Sequence, residues 1–132
     1  LGSVASGGEI SRVMLAVKTV LADEEDTPTL IFDEIDTGIS GITAGKVGDR
    51  LRLIGKSRQV ICITHLPQIA ATADHHFLIR KKAEGTSVRT DVEMLDEAAS
   101  VEELARLLGG ANVTERVMES AKELKELAKC ER

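Results

Sequence analysis

Thr29-Leu30-Ile31-Phe32-Asp33-Glu34 runs from a short, continuous apolar stretch straight into an acidic pair. A run without polar alternation fits a strand buried on both faces, as in a parallel sheet. Asp33 to Gly41 reads as a loop with Gly38 and Gly41 as breakers. Carboxylates at the mouth of an apolar strand are costly unless something offsets them.

Upstream, Ser6-Gly7-Gly8-Glu9 has the S-x-x-E pattern of a capping box and precedes Ile10, Val13, Met14, Val17, Val20 and Leu21 at helical spacing. Asp23-Glu24-Glu25-Asp26 and Pro28 end that helix. Downstream, a weaker helix carries Val47, Leu51 and Ile54 on one face, with Gly45 and Gly48 working against it. Val60-Ile61-Cys62-Ile63-Thr64 is a second buried strand, followed by His65, and Pro67 suits the first turn of a short helix through Ala73. His76 to Arg80 reads as a third strand, Lys81 to Thr86 as a turn, and Ser87 to Leu95 alternates as a fourth. A second box, Ser100-Val101-Glu102-Glu103, is expected to open a helix that stops at Gly109-Gly110. Thr114 caps the last helix, striped by Val117, Ala121, Leu124 and Leu127. The order α-β-α-β-α-β-β-α-α predicts an α/β layered fold, a mostly parallel sheet flanked by helices. In such folds ligand chemistry gathers at the carboxyl ends of the strands.

At 132 residues the chain suits one domain with a modest core. Hydrophobic residues at 42% and charged residues at 30% argue against disorder. Aromatics reach only 2%, so the core is expected to be aliphatic and a base-stacking platform for single-stranded nucleic acid has little to work with. A net charge of −5 also argues against a broad phosphate-binding face. No apolar run is long enough for a membrane helix, and the first residues lack the basic and apolar regions of a signal peptide. Cys62 and Cys130 are too few for a disulfide framework or a four-ligand zinc site, and a reducing cytoplasm fits best.

Two strand ends carry chemistry. Mg²⁺ takes one or two carboxylates together with phosphates and water, so Asp33 suits the metal while Glu34 suits orienting or deprotonating an attacking water. On the residues alone, a solvated pair opening a loop fits equally. His65 can contact a terminal phosphate or its attacking water; a polar residue starting a turn before Pro67 is the plainer alternative. Gly7 and Gly8 at a helix start expose backbone N–H groups to which a phosphate is attracted, although a capping box with a flexible lead-in explains the same residues. Gly41 to Val47 looks like a P-loop but has Ser40 and Val47 where G-x-x-x-x-G-K-[ST] requires Gly and Ser or Thr, and no other segment matches. His75 and His76 read as strand-edge residues, and Cys62 as a small buried apolar side chain.

Taken in order, SGGE opening a helix, a strand ending in DE and a later strand ending in TH resemble the C-terminal half of ABC-type ATPase heads. Within that superfamily, VASGGEISRVMLA, TLIFDEIDTGISG, QVICITHLPQIAATADHHFLI and VEELARLLGG resemble the bacterial SMC-like proteins of DNA double-strand-break repair and recombination, over nearly the whole chain. The resemblance implies the fold of the C-terminal lobe of a P-loop ABC-type head. It implies that Ser6, Gly7, Gly8 and Glu9 form the signature motif, which binds the γ-phosphate of ATP held by the opposite head. Asp33 supports Mg²⁺ through water, Glu34 is the catalytic base, and His65 senses the γ-phosphate. Thr37, Gly38 and Ser40 fall in the D-loop, where Ser40 departs from the aspartate common in SMC relatives. ATP then joins two heads and hydrolysis releases them, with DNA engaged by the whole dimer and its coiled-coil arms.

The resemblance also implies that residues 1–132 form one lobe without the Walker A half or the coiled coil. The expected partners are the N-terminal Walker A lobe of the same protein, a second head and, through the full-length protein, DNA, with no membrane. The expected location is the cytoplasm, at the nucleoid when active. The isolated chain is expected neither to bind ATP tightly nor to hydrolyse it, and its uncovered face is expected to be sticky. Two other readings remain: a lobe of another ABC ATPase head, from a transporter or a different repair ATPase, and a non-catalytic interaction module.

Overall fold

The computed structural model describes residues 7–20, 27–85 and 87–130. Ser6, Leu21 and the acidic cluster at 23–26 lie outside the described residues. The elements are α1 (Gly7–Val20), β1 (Thr29–Phe32), α2 (Gly41–Gly55), β2 (Gln59–Cys62), α3 (Pro67–Ala70), β3 (His76–Glu84), β4 (Ser87–Leu95), α4 (Glu97–Gly109) and α5 (Glu115–Cys130). Their order is the one the hydrophobic periods predict, in a mixed α/β chain.

The sheet differs from the expectation. There is no single, mostly parallel sheet among the described residues but two two-stranded ones. β1 runs parallel to β2, with Leu30 opposite Val60 and Phe32 opposite Cys62. β3 runs antiparallel to β4, with His76 opposite Leu95 and Glu84 opposite Ser87. The reason is local: β3 continues to Glu84 through residues expected to turn, leaving a reversal at Gly85, whose φ is +63°. So tight a connection can join only antiparallel strands.

Two compact units result, one up to Thr72 and one from Ala73 onward. In the first, Leu15, Leu30, Phe32, Ile35, Ala44, Val47, Leu51, Ile54 and Ile69 form the core. It is aliphatic as expected, apart from Phe32, which is buried while Phe77 is exposed. The predicted face of α2 (Val47, Leu51, Ile54) supplies its floor. Gly48 lets α3 approach closely, since a Cβ there would lie 3.0 Å from the Thr72 methyl group. The predicted stripe of α1 behaves differently: Ile10, Val13, Met14, Val17 and Val20 are all exposed, and among the described residues Leu15 is the α1 side chain that enters the core. β1 likewise buries Leu30 and Phe32 but exposes Ile31. One face of the parallel pair is therefore covered and the other open.

In the second unit, Leu104, Ala105 and Ala121 are buried between α4 and α5. The box at Ser100 does not start α4. Asp96 is the N-cap, its side chain accepting from the Ala99 amide at 2.8 Å. An earlier Asx cap displaces the later box, and Ser100 is buried in the first turn of α4 beside His76, whose Nδ1 lies 2.9 Å from the Ser100 hydroxyl. The other end is as predicted: Gly110 adopts φ +63° and donates its N–H to the Arg106 carbonyl at 2.8 Å. Thr114 accepts from Val117 N at the start of α5. Among the described residues no helix is long and apolar enough to cross a membrane.

Candidate functional site

β1 and β2 are parallel and in register, so the loops that leave their carboxyl ends start side by side. The first is Asp33 to Ser40, and the second is Ile63 to Leu66. α1 lies across the first. Gly8 is buried there, and a Cβ built on it would come within 2.8 Å of the Glu34 carbonyl oxygen and 2.9 Å of both the Cβ and the carbonyl of Thr37. Backbone cannot yield as a side chain can, so this position requires glycine for close approach. At Gly7 the obstacle would be the Glu34 carboxylate, 2.6 Å away, the far end of a flexible side chain.

Side chains from α1 then hold the loop. The Ser11 hydroxyl donates to the Asp33 carbonyl at 3.0 Å. Arg12 Nη1 donates to the Ile35 carbonyl at 3.2 Å and to the Thr37 carbonyl at 2.7 Å. Inside the loop, Asp33 Oδ1 accepts the Glu34 amide at 2.9 Å and the Glu34 carbonyl accepts the Thr37 amide at 3.1 Å. Glu34 has φ +56°, the left-handed region that costs a non-glycine residue about 1–2 kcal/mol. Such strain persists only where surrounding contacts over-determine the backbone, as Ser11, Arg12 and Gly8 do here. Gly38, at φ +74°, takes the same region freely.

The second loop is tied to the first through Asp36, which is 4% exposed. Its Oδ2 accepts from the Thr64 hydroxyl at 2.7 Å, from the His65 amide at 2.8 Å and from His65 Nδ1 at 2.9 Å. Burial alone would raise the Asp36 carboxyl; these hydrogen bonds and the imidazole beside it outweigh burial and hold it below the usual carboxylate range. The carboxylates act oppositely on Cys62. Burial, with the charges of Asp36 and Asp33, pushes its thiol up to about 12, which agrees with an inert, partly buried side chain.

Of the candidate residues, Gly7, Gly8, Asp33, Glu34 and Thr37 converge where α1 crosses the β1 loop. His65 joins them through Asp36. Glu9 sits in the first turn of α1, where a carboxylate complements the helix dipole. Ser40 is the N-cap residue of α2, and its side chain makes no capping hydrogen bond. Ser6 lies outside the described residues. Gly41 to Val47 is continuous helix, not a phosphate-cradling loop. Sequence reasoning missed Ser11, Arg12 and Asp36. Arg12 is a cation beside the apolar stripe of α1, and Asp36 is a third acid within four residues; those departures from pattern were the available signals.

Asp33 and Glu34 are exposed, and one Asp33 oxygen takes the Glu34 amide. That leaves carboxylate oxygens facing solvent at the strand end, a donor set that fits Mg²⁺ completed by water and phosphate.

No protein-family model matches the chain. Curated relatives do, and they are bacterial DNA repair proteins. Over the matched residues the chain is homologous to part of RecN. It is 48% identical to the DNA repair protein RecN of Vibrio cholerae over 124 residues, which are 94% of this chain and 22% of that protein. Against RecN of Halalkalibacterium halodurans it is 49% identical over 128 residues, 97% of this chain and 23% of the relative. RecN of Deinococcus radiodurans is 48% identical over 124 residues, again 94% and 22%. The chain thus spans less than a quarter of the length of the curated relatives it matches.

Proposed function

We propose that this chain is the C-terminal lobe of an ABC-type ATPase head in an SMC-like protein of DNA double-strand-break repair and recombination. The observation that carries the reading is the convergence of a glycine-opened helix, an acidic strand end and a histidine around one end of the parallel pair. The repair role rests on the relatives' name.

In this reading Asp33 would hold Mg²⁺, and the ion would supply charge neutralisation to the phosphates. Glu34, exposed at the strand end, orients and deprotonates the attacking water. Ser6, Gly7, Gly8 and Glu9 receive the γ-phosphate of ATP bound to a second head, through amides at the positive end of α1. Thr37, Gly38 and Ser40 line the head–head junction, and His65 senses the γ-phosphate. The open face of α1 and β1, where Ile10, Met14 and Ile31 border a shallow apolar hollow, suits coverage by an N-terminal Walker A lobe of the same protein. DNA is engaged by the full-length dimer.

The test is Glu34→Gln in the full-length protein that carries this chain. Hydrolysis should fall at least about 100-fold while ATP-stabilised dimers persist, since the neutral isostere removes the base and keeps the geometry. Undiminished turnover would sink the base assignment. The isolated 132-residue chain should show no Mg²⁺-dependent turnover; measurable turnover that Glu34→Gln abolishes would overturn the half-site reading.

A further inference from the structure

Asp36 differs from the two carboxylates before it: Asp33 and Glu34 are exposed, whereas Asp36 is 4% exposed. A carboxylate withdrawn from water needs donors matched to its lone pairs. The Thr64 hydroxyl, the His65 amide and His65 Nδ1 all reach Oδ2 within 2.9 Å. The Thr64 hydroxyl has one proton, and its oxygen is already the acceptor for the Leu66 amide at 3.0 Å, so that proton goes to Asp36. An ionised carboxylate only accepts, hence the imidazole nitrogen facing it must carry hydrogen. The ring is otherwise 72% exposed.

We infer that Asp36 is the positioning residue for His65: by accepting from Nδ1 it fixes ring orientation and tautomer, and turns Nε2 outward as the working atom. Which imidazole nitrogen is protonated is set by the hydrogen bond the other one makes. In the neutral ring, Nε2 is therefore an acceptor, suited to a water proton. Toward a phosphate oxygen, which only accepts, the ring must take a second proton on Nε2, and Asp36 balances the resulting charge, as a carboxylate does behind a catalytic or metal-bound histidine. The consequence for phosphate rests on the proposed nucleotide site; the tautomer does not.

The experiment has two arms. Long-range ¹H–¹⁵N spectra of the histidine rings in this chain, recorded above the histidine titration, should show His65 as the Nδ1–H tautomer. Asp36→Ala should return it to the Nε2–H form that free histidine prefers, with the amide fingerprint of the chain retained. An Nε2–H tautomer in the unsubstituted chain overturns the inference whether or not the variant folds, and so does an Nδ1–H tautomer that survives Asp36→Ala. In the full-length protein that carries this chain, Asp36→Ala should lower kcat for ATP about 10- to 100-fold with KM held within about twofold. An unchanged kcat removes Asp36 from the reaction. A full-length protein that hydrolyses no ATP defeats the proposed function instead, and the ring spectra, which need no nucleotide, then decide the positioning.

Discussion

Glu34 holds the clearest tension at the level of single residues. Its backbone sits at φ +56°, where an L side chain is strained and glycine is not. Glycine also loses more chain entropy on folding, about 0.4–1 kcal/mol, so relief of strain wins by a small margin. Glu34→Gly should therefore raise stability by about 0.5–1 kcal/mol in denaturant titrations of the chain, although the same change removes the proposed base. A loss of stability would mean that the loop, not the side chain, favours the left-handed conformation. Cys62 offers a second check. The thiolate is the reactive form, and a thiol pushed up to about 12 is protonated throughout the neutral and mildly alkaline range. Alkylation at pH 8 should modify exposed Cys130 and spare Cys62, read by peptide mass; equal rates would show that the strand end is open to reagent.

The elements owe their junction to one glycine more than the other. Alanine at either position gains helix propensity, by less than the ~0.5–1 kcal/mol of a helix interior because both lie in the first turn of α1. At Gly7 that gain meets only the movable end of Glu34, so Gly7→Ala should be neutral or slightly stabilising. At Gly8 the added carbon meets the backbone of Glu34 and Thr37, and α1 must lift away from the loop that Ser11 and Arg12 clamp. Gly8→Ala should cost a net ~1–3 kcal/mol, measured by the same titrations; equal tolerance at both sites would mean that the approach of α1 is loose. The glycine pair was legible in the sequence, as a phosphate-binding helix start. Its packing role was not, because close approach depends on which loop lies beneath the helix. The start of α4 teaches the same lesson: S-x-x-E at Ser100 is a valid local signal, but Asp96 caps earlier and Ser100 is taken by His76.

Over the whole molecule, the unspent apolar surface matters most. Ile10 is 53% exposed and Ile31 68%, with Val13, Met14 and Val17 alongside on α1. Contiguous apolar surface of this kind marks an interface rather than a solvated face. The isolated chain should self-associate, with weight-average mass rising with concentration in sedimentation equilibrium, and Ile10→Ser with Ile31→Ser should suppress the rise. A strictly monomeric profile at high concentration would count against an unpartnered interface. The sparse aromatic content and net charge of −5 give this chain little for base stacking and no broad cationic face.

Local chemistry was readable along the chain. Hydrophobic period gave the number, type and order of the elements, and residue type picked out Asp33, Glu34, His65 and the glycines, because these properties depend on neighbours within a few residues. Tertiary structure alone decided the rest. Strand partners, the splitting of the sheet into parallel and antiparallel pairs, and the exposure of α1's apolar stripe depend on which surfaces meet. The tie from Asp36 to His65 spans 29 positions and exists only because β1 and β2 lie side by side. Periodicity tells that a residue is apolar on one face; only the packed chain tells whether anything covers it.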